Sequence, residues 1–223
     1  METISLSVWA EGAQYRSKVM FPDLTRDDVF RLETARLWLR WPRAPDAASL
    51  AKLAGDREVA EMTASIPHPY TPQDAAKWIF SARAANAQGS SLSLVIARRG
   101  KPLEAIGAVG LHETRPGSAL LGYWIGRPQQ GHGYVTEAVE TMIETAFRLA
   151  DVTEIHAQAM LENEASRRVL IKCGFSSEGQ GRIDLPARGG LVLCERFRLK
   201  REFWIAGKAC PLTAADAPRA ALL

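Results

Sequence analysis

The stretch from Ala119 to Met160 changes its hydrophobic period twice, and this constrains the fold more than any other feature of the chain. Ala119–Ile125 alternates as a strand. Thr136–Ala150 places Val139, Ile143, Ala146 and Phe147 on one helical face, and Glu154–Met160 alternates again. A strand, a helix and a strand in succession form a crossover, which leaves the two strands parallel. Upstream, Leu92–Ala97, Ala105–His112 and Ala119–Ile125 are separated by Arg99-Gly100 and Pro116-Gly117. Those are turn sequences, so these three strands form an antiparallel meander. One parallel pair therefore sits inside a mixed sheet, and the fold class is α+β with helices flanking a central, mostly antiparallel sheet.

The flanking segments fit this frame. Arg36–Arg40 alternates as a strand, and a helix opens at Pro45-Asp46, carries Leu50 and Leu53, and ends at Gly55. Thr71 is a cap and Pro72 a first helical residue, so a second helix runs to about Ala87 and stops at Gly89. Asn163–Cys173 is a short helix closed by Gly174. Two last strands span about Phe175–Leu185 and Leu191–Phe203, joined by Ala187-Arg188-Gly189-Gly190. Residues 31–204 make one domain. Residues 1–30 read as an N-terminal extension with a strand pattern at Ile4, Leu6 and Val8, and 205–223 as a frayed Ala-rich tail.

Composition narrows the function classes. The chain has 223 residues, 47% of them hydrophobic, enough for a core without disulfide or metal staples. A net charge of +3 is too small to argue for nucleic acid as a partner. The four histidines and three cysteines have no metal-ligand spacing, so no metal is expected, and Cys173, Cys194 and Cys210 read as reduced thiols. There is no long uncharged apolar run and no signal-peptide pattern, which predicts no membrane association and a cytoplasmic location.

Gln130-Gly131-His132-Gly133-Tyr134-Val135 lies between the third meander strand and the crossover helix. A helix start carries unpaired N–H groups and about half a positive charge, and glycines let an anion approach the backbone. A phosphate cradle is one reading, and a tight turn that packs helix on sheet is the other. Neither a Walker loop nor a dinucleotide fingerprint fits: no Gly-Lys-Ser/Thr follows, and Thr136 occupies the third-glycine position.

Wider context favours the cradle. Gly122-Tyr123-Trp124-Ile125-Gly126, Gln130–Tyr134 and Thr136-Glu137-Ala138, in that order, resemble motif A of the GNAT superfamily of N-acetyltransferases. Asn163 and Ser166 followed by Gly174-Phe175 resemble its next motif, and Leu32–Leu37 and Pro67-His68-Pro69-Tyr70 point to the branch of ribosomal-protein alanine and serine N-acetyltransferases. The resemblance covers about residues 31–201. Val135 departs from it, standing where a small residue is usual.

The resemblance implies an N-acetyltransferase that passes acetyl from acetyl-CoA to a primary amine by direct attack. That amine belongs to a protein N-terminus or a small molecule. It also implies a splayed strand pair that holds the pantetheine near Trp124, Ile125 and Gly126. The pyrophosphate would lie on Gln130, Gly131, His132, Gly133, Tyr134 and Val135, and Asn163 and Ser166 would contact the cofactor. Many members use a tyrosine in the second motif as acid. No tyrosine follows Tyr134 here, and the resemblance moves that role to Ser166, whose other reading is a first-turn hydroxyl. Glu113 and Asp184 are candidate bases, with His112 a third; surface carboxylates are ordinarily just solvated. Tyr123 and Trp124 alternate faces, so one should face substrate and the other the core. Homodimers are common in the family, and residues 1–30 could contribute to one. A non-catalytic acyl-CoA sensor is the alternative function.

Overall fold

A computed structural model describes residues 19–209. The strand pattern at Ile4–Val8, Cys210 and the tail from 210 lie outside the described residues. The elements are β1 (Arg31–Glu33), β2 (Leu37–Arg40), α1 (Asp46–Ala54), α2 (Arg57–Glu61), α3 (Pro72–Gln88), β3 (Ser91–Arg98), β4 (Lys101–Arg115), β5 (Ser118–Ile125), α4 (Tyr134–Leu149), β6 (Glu154–Met160), α5 (Glu164–Lys172), β7 (Ser176–Leu185), β8 (Gly190–Lys200) and α6 (Arg201–Ala209). The sheet order is β1-β2-β3-β4-β5-β6-β8-β7. Only the β5–β6 pair is parallel; the described neighbours on either side pair antiparallel.

Helices cover both faces. Leu50, Ala51, Ala75 and Ile79 of α1 and α3 pack with Val95 and Ala105 on one face. Val139, Met142, Ile143 and Ala146 of α4 pack with Leu92, Leu94, Val109 and Leu111 on the other, joined by Leu170 of α5. The stripe expected on α4 is the buried one. Thr71 and Asp74 form a capping box at the start of α3, and Gly89 ends it in a left-handed conformation with φ 70°.

Four differences from the sequence expectations have physical reasons. The packed body begins before residue 31: Met20 and Phe21 are buried, and the Phe21 N–H donates to the Gly89 carbonyl at 3.1 Å. Strand β4 starts at Lys101 rather than Ala105, because register shifts at Ile96/Ala97 and Ala97/Arg98 let the hairpin continue past the alternation. The single turn α2 was not anticipated. It is too short for a period and is held by Asp56, whose side chain accepts from the Glu58 N–H. The last strand ends at Lys200, and Arg201–Ala209 is helical. There the Arg201 Nε donates to the Phe147 carbonyl at 2.8 Å and Trp204 packs on the Phe147 ring, so tertiary contact outweighs local strand preference.

A buried ion pair fixes α1 to the sheet. Arg40 donates twice to Asp46, at 2.7 Å in both bonds, and Asp46 also accepts the Arg43 N–H at 2.7 Å. Both side chains are buried. Removing one partner strands the other charge. Asp46→Ala is expected to lose about 3–5 kcal/mol in urea denaturation. A loss below about 1 kcal/mol would contradict this role.

Candidate active site

Strands β5 and β6 run together for only three register pairs, Ser118↔Glu154, Ala119↔Ile155 and Leu120↔His156. Beyond them β5 continues to Ile125 along β4, and β6 continues to Met160 along β8. The facing edges of Leu121–Ile125 and Ala157–Met160 therefore part without ladder bonds. Backbone polar groups on such edges need a partner, and a ligand with amide groups can supply it.

A cavity of about 1270 Å³ runs through this slot. Because it opens to both faces of the sheet, Tyr123 and Trp124 both line it. That corrects the expectation that only one of them could. Tyr123 packs toward α4 and α5, Trp124 toward α1 and α3.

At one end of the slot is the start of α4. Gly131 and Gly133 have φ 78° and 75°, a left-handed conformation that disfavours any side chain, and above Gly131 the space is open. No side chain caps α4, so its first-turn N–H groups point out of the helix without a carbonyl one turn back. The helix starts at Tyr134, two residues earlier than the sequence pattern suggested, because Gly133 itself makes the turn.

Of the residues expected at the cofactor, Trp124, Ile125, Gln130, Gly131, Gly133, Tyr134, Val135, Asn163 and Ser166 line the cavity. Gly126 and His132 do not. Gly126 is buried, with its N–H on the Ile106 carbonyl and its carbonyl taking the Gln129 N–H, both at 2.9 Å. His132 is exposed and stacks on Tyr134, ring centres 5.6 Å apart. The Gln130 N–H turns back to the Arg127 carbonyl at 3.2 Å.

Asn163 caps α5: its side chain accepts the Ser166 N–H at 3.0 Å and donates to the Met62 carbonyl at 3.1 Å. Ser166 presents its hydroxyl 2.9 Å from the Tyr123 hydroxyl, which also lies 3.2 Å from the Ser166 carbonyl oxygen. Burial pushes the Tyr123 phenol well above its ordinary pKa, against the opposing effect of the Ser166 bond, so it carries its proton at neutral pH. A phenol from β5 thus stands beside the Ser166 hydroxyl of α5, a helix that has no tyrosine of its own.

The candidate bases separate. Glu113 shares the strand face of Val109 and Leu111, which packs on α4, and Asp184 is exposed on β7; neither lines the cavity. His112 does. Its Nε2 lies 3.3 Å from where a Cβ on Gly110 would sit, and Gly110 is the cross-strand partner of Gly122. The ring is open to the cavity, yet the walls around it desolvate the cation and lower its pKa below 6.5. Cys173 is driven the other way: burial, chiefly, raises its thiol to about 12, which leaves it a packing residue.

Two lining residues escaped the sequence reading. Arg168 and Lys172 stand four residues apart on α5 at the cavity wall, Arg168 held at 3.2 Å by Glu164, which lines the cavity too. Their spacing on one helix face was visible, but the direction of that face was not. Among the described residues no group of His, Cys, Asp and Glu is placed to hold a metal, and no helix is long and apolar enough to cross a membrane.

Comparison with known proteins decides the family. Residues 36–176 match the model of the acetyltransferase (GNAT) domain. The chain belongs to the GNAT family. It is an acetyl-CoA-dependent N-acetyltransferase. An N-acetyltransferase of Bacillus licheniformis, p20, itself uncharacterised, is 30% identical over 177 residues, covering 77% of this chain and 97% of its own. Among solved structures, a ribosomal L7/L12 alpha-N-protein acetyltransferase in complex with coenzyme A superposes with a TM-score of 0.68 at 17% identity, over 77% of this GNAT chain and 98% of its own. The ribosomal-protein-S5-alanine acetyltransferase of Vibrio fischeri gives a TM-score of 0.67 at 20% identity, over 78% and 98%. At these identities the superpositions speak for the fold.

Proposed function

We propose that this GNAT enzyme acetylates a primary amine by direct attack on acetyl-CoA bound in the β5–β6 slot. The observation that carries this reading is the Tyr123–Ser166 hydroxyl pair, 2.9 Å apart and facing a cavity that begins at the glycine start of α4. The donor brings a thioester and a diphosphate. The parted edges of β5 and β6 suit its amide-bearing arm, and the N–H groups from Gly131 to Thr136 suit the diphosphate, with Lys172 adding charge.

In the reaction the amine nitrogen bonds to the acetyl carbon, the carbon–sulfur bond breaks, nitrogen loses a proton and sulfur gains one. We assign the proton given to sulfur to the Tyr123–Ser166 pair, because the phenol stays protonated and its neighbour hydroxyl can relay. We assign the proton taken from nitrogen to His112 rather than Glu113 or Asp184, because His112 lines the cavity and is neutral at pH 7. Holding both reactants in one slot supplies much of the acceleration. Protein N-termini are the acceptors to test first, since fold neighbours are named for them; small-molecule amines come next. The Pro67–Tyr70 loop, with Pro67 and Tyr70 on the cavity wall, is where the two acceptor classes would be told apart.

Four measurements test this. Acetyl-CoA binding by calorimetry should be lost in Gly133→Glu, and coenzyme A release by the wild type should rise with an amine mixture. Binding without amine-stimulated release would favour the acyl-CoA sensor, and unchanged affinity in the variant would refute the placement of the diphosphate. Tyr123→Phe and Ser166→Ala should each lower kcat by about 10²–10⁴-fold and the double variant by little more, as expected of one unit. Multiplying losses would contradict the pairing. With the acceptor saturating, so that its own protonation at about pH 8 is not read, the acid limb of kcat/KM for acetyl-CoA should lie below about pH 6.5 and vanish in His112→Gln. An unaltered profile would remove His112 as base.

A further inference from the structure

The phosphate loop does not stand alone. Arg36, just before β2, reaches it with every part of its guanidinium group. Its Nε bonds Glu137 on the first turn of α4 at 2.6 Å, and its Nη1 donates to the His132 carbonyl at 2.8 Å. Its outer Nη2 lies 3.5 Å from where a Cβ on Gly133 would sit, and its central carbon is 4.8 Å from the centre of the Tyr134 ring. The Arg36 backbone N–H also donates to Glu137, at 2.9 Å, and the Thr34 hydroxyl bonds the same carboxylate. Thr34 is held in turn by Arg99, which donates to its carbonyl at 3.2 Å.

Glu137 makes this arrangement more than packing. Burial opposes its charge, but the bonds from Thr34 and Arg36 prevail and hold its pKa below the usual carboxylate range. A carboxylate thus sits one turn from the groups that would receive a diphosphate. The helix start tolerates it, but an incoming dianion would be repelled by it unless a cation stood between.

We infer that Arg36 is a positioning residue for diphosphate recognition: its guanidinium, fixed by Glu137 and the His132 carbonyl, sets the Gly131–Gly133 backbone and screens the Glu137 carboxylate from the donor's phosphates. Lysine cannot replace it, because two bonds in different directions from one planar group, to Glu137 and to the His132 carbonyl, are needed at once. This rests on the reading that the loop binds the diphosphate of acetyl-CoA.

The test compares acetyl-CoA with S-acetylpantetheine, a thioester donor that lacks the diphosphate. In Arg36→Ala, KM for acetyl-CoA should rise at least about ten-fold with kcat nearly kept, while kcat/KM for S-acetylpantetheine stays within about two-fold of wild type. Arg36→Lys should recover only part of the affinity. The double variant Arg36→Ala, Glu137→Gln should bind acetyl-CoA more tightly than Arg36→Ala alone, because the unscreened charge is gone. Equal losses with both donors would mean a general structural role and overturn the inference, as would no change with either. If Gly133→Glu leaves acetyl-CoA affinity intact, the loop reading falls first; if it abolishes affinity while Arg36→Ala does not alter it, only the Arg36 inference falls.

Discussion

The parting of β5 and β6 after three rungs is the feature on which the rest of this molecule depends. A sheet that stayed zipped would satisfy its own backbone and leave no slot. Here the outer edges remain paired, β5 with β4 and β6 with β8, so the opening costs the sheet only the ladder between two strand ends. The helices then finish the site. α4 begins where β5 ends, and α5 begins just beyond β6, so their N-terminal turns converge on the same opening. The cavity and the side chains proposed to act in it come from one break in one ladder.

Charge follows the same geometry. The α4 end of the slot has the helix N–H groups, with Arg36 paired to Glu137 behind the loop and Arg168 paired to Glu164 on the wall. The middle holds groups kept uncharged by their surroundings: a phenol with a raised pKa and an imidazole with a lowered one. Low solvation at the middle and helix N–H groups at the end suit a substrate whose reacting part is neutral and whose handle is anionic.

Much of this was legible in the sequence because it is local. The period changes around residues 119–160 gave the crossover, and the glycine pattern gave the turn before α4. A short helix was legible at Asn163–Cys173, and Asn163 is the residue that caps it. What stayed hidden are contacts between distant residues. Tyr123 and Ser166 are 43 positions apart, and Arg36 and Glu137 are 101, so nothing in their own neighbourhoods signals either pair. Alternation separated Tyr123 from Trp124 correctly by face, but could not reveal that the slot opens onto both faces. Glu113 and His112 show the same limit: adjacent in sequence, they point to opposite sides of β4, and only the packing around each tells which of them reaches the slot. Met20 and Phe21 enter the core from a segment whose own pattern is irregular, because tertiary burial needs no local period.

Amide hydrogen exchange with and without coenzyme A tests the central claim most directly, since it reads the backbone of the slot itself. The account predicts added protection concentrated in Leu121–Ile125, Gly131–Thr136 and Ala157–Met160, with the β1–β4 meander unchanged. Protection spread over the meander, or absent from both parted edges, would contradict it.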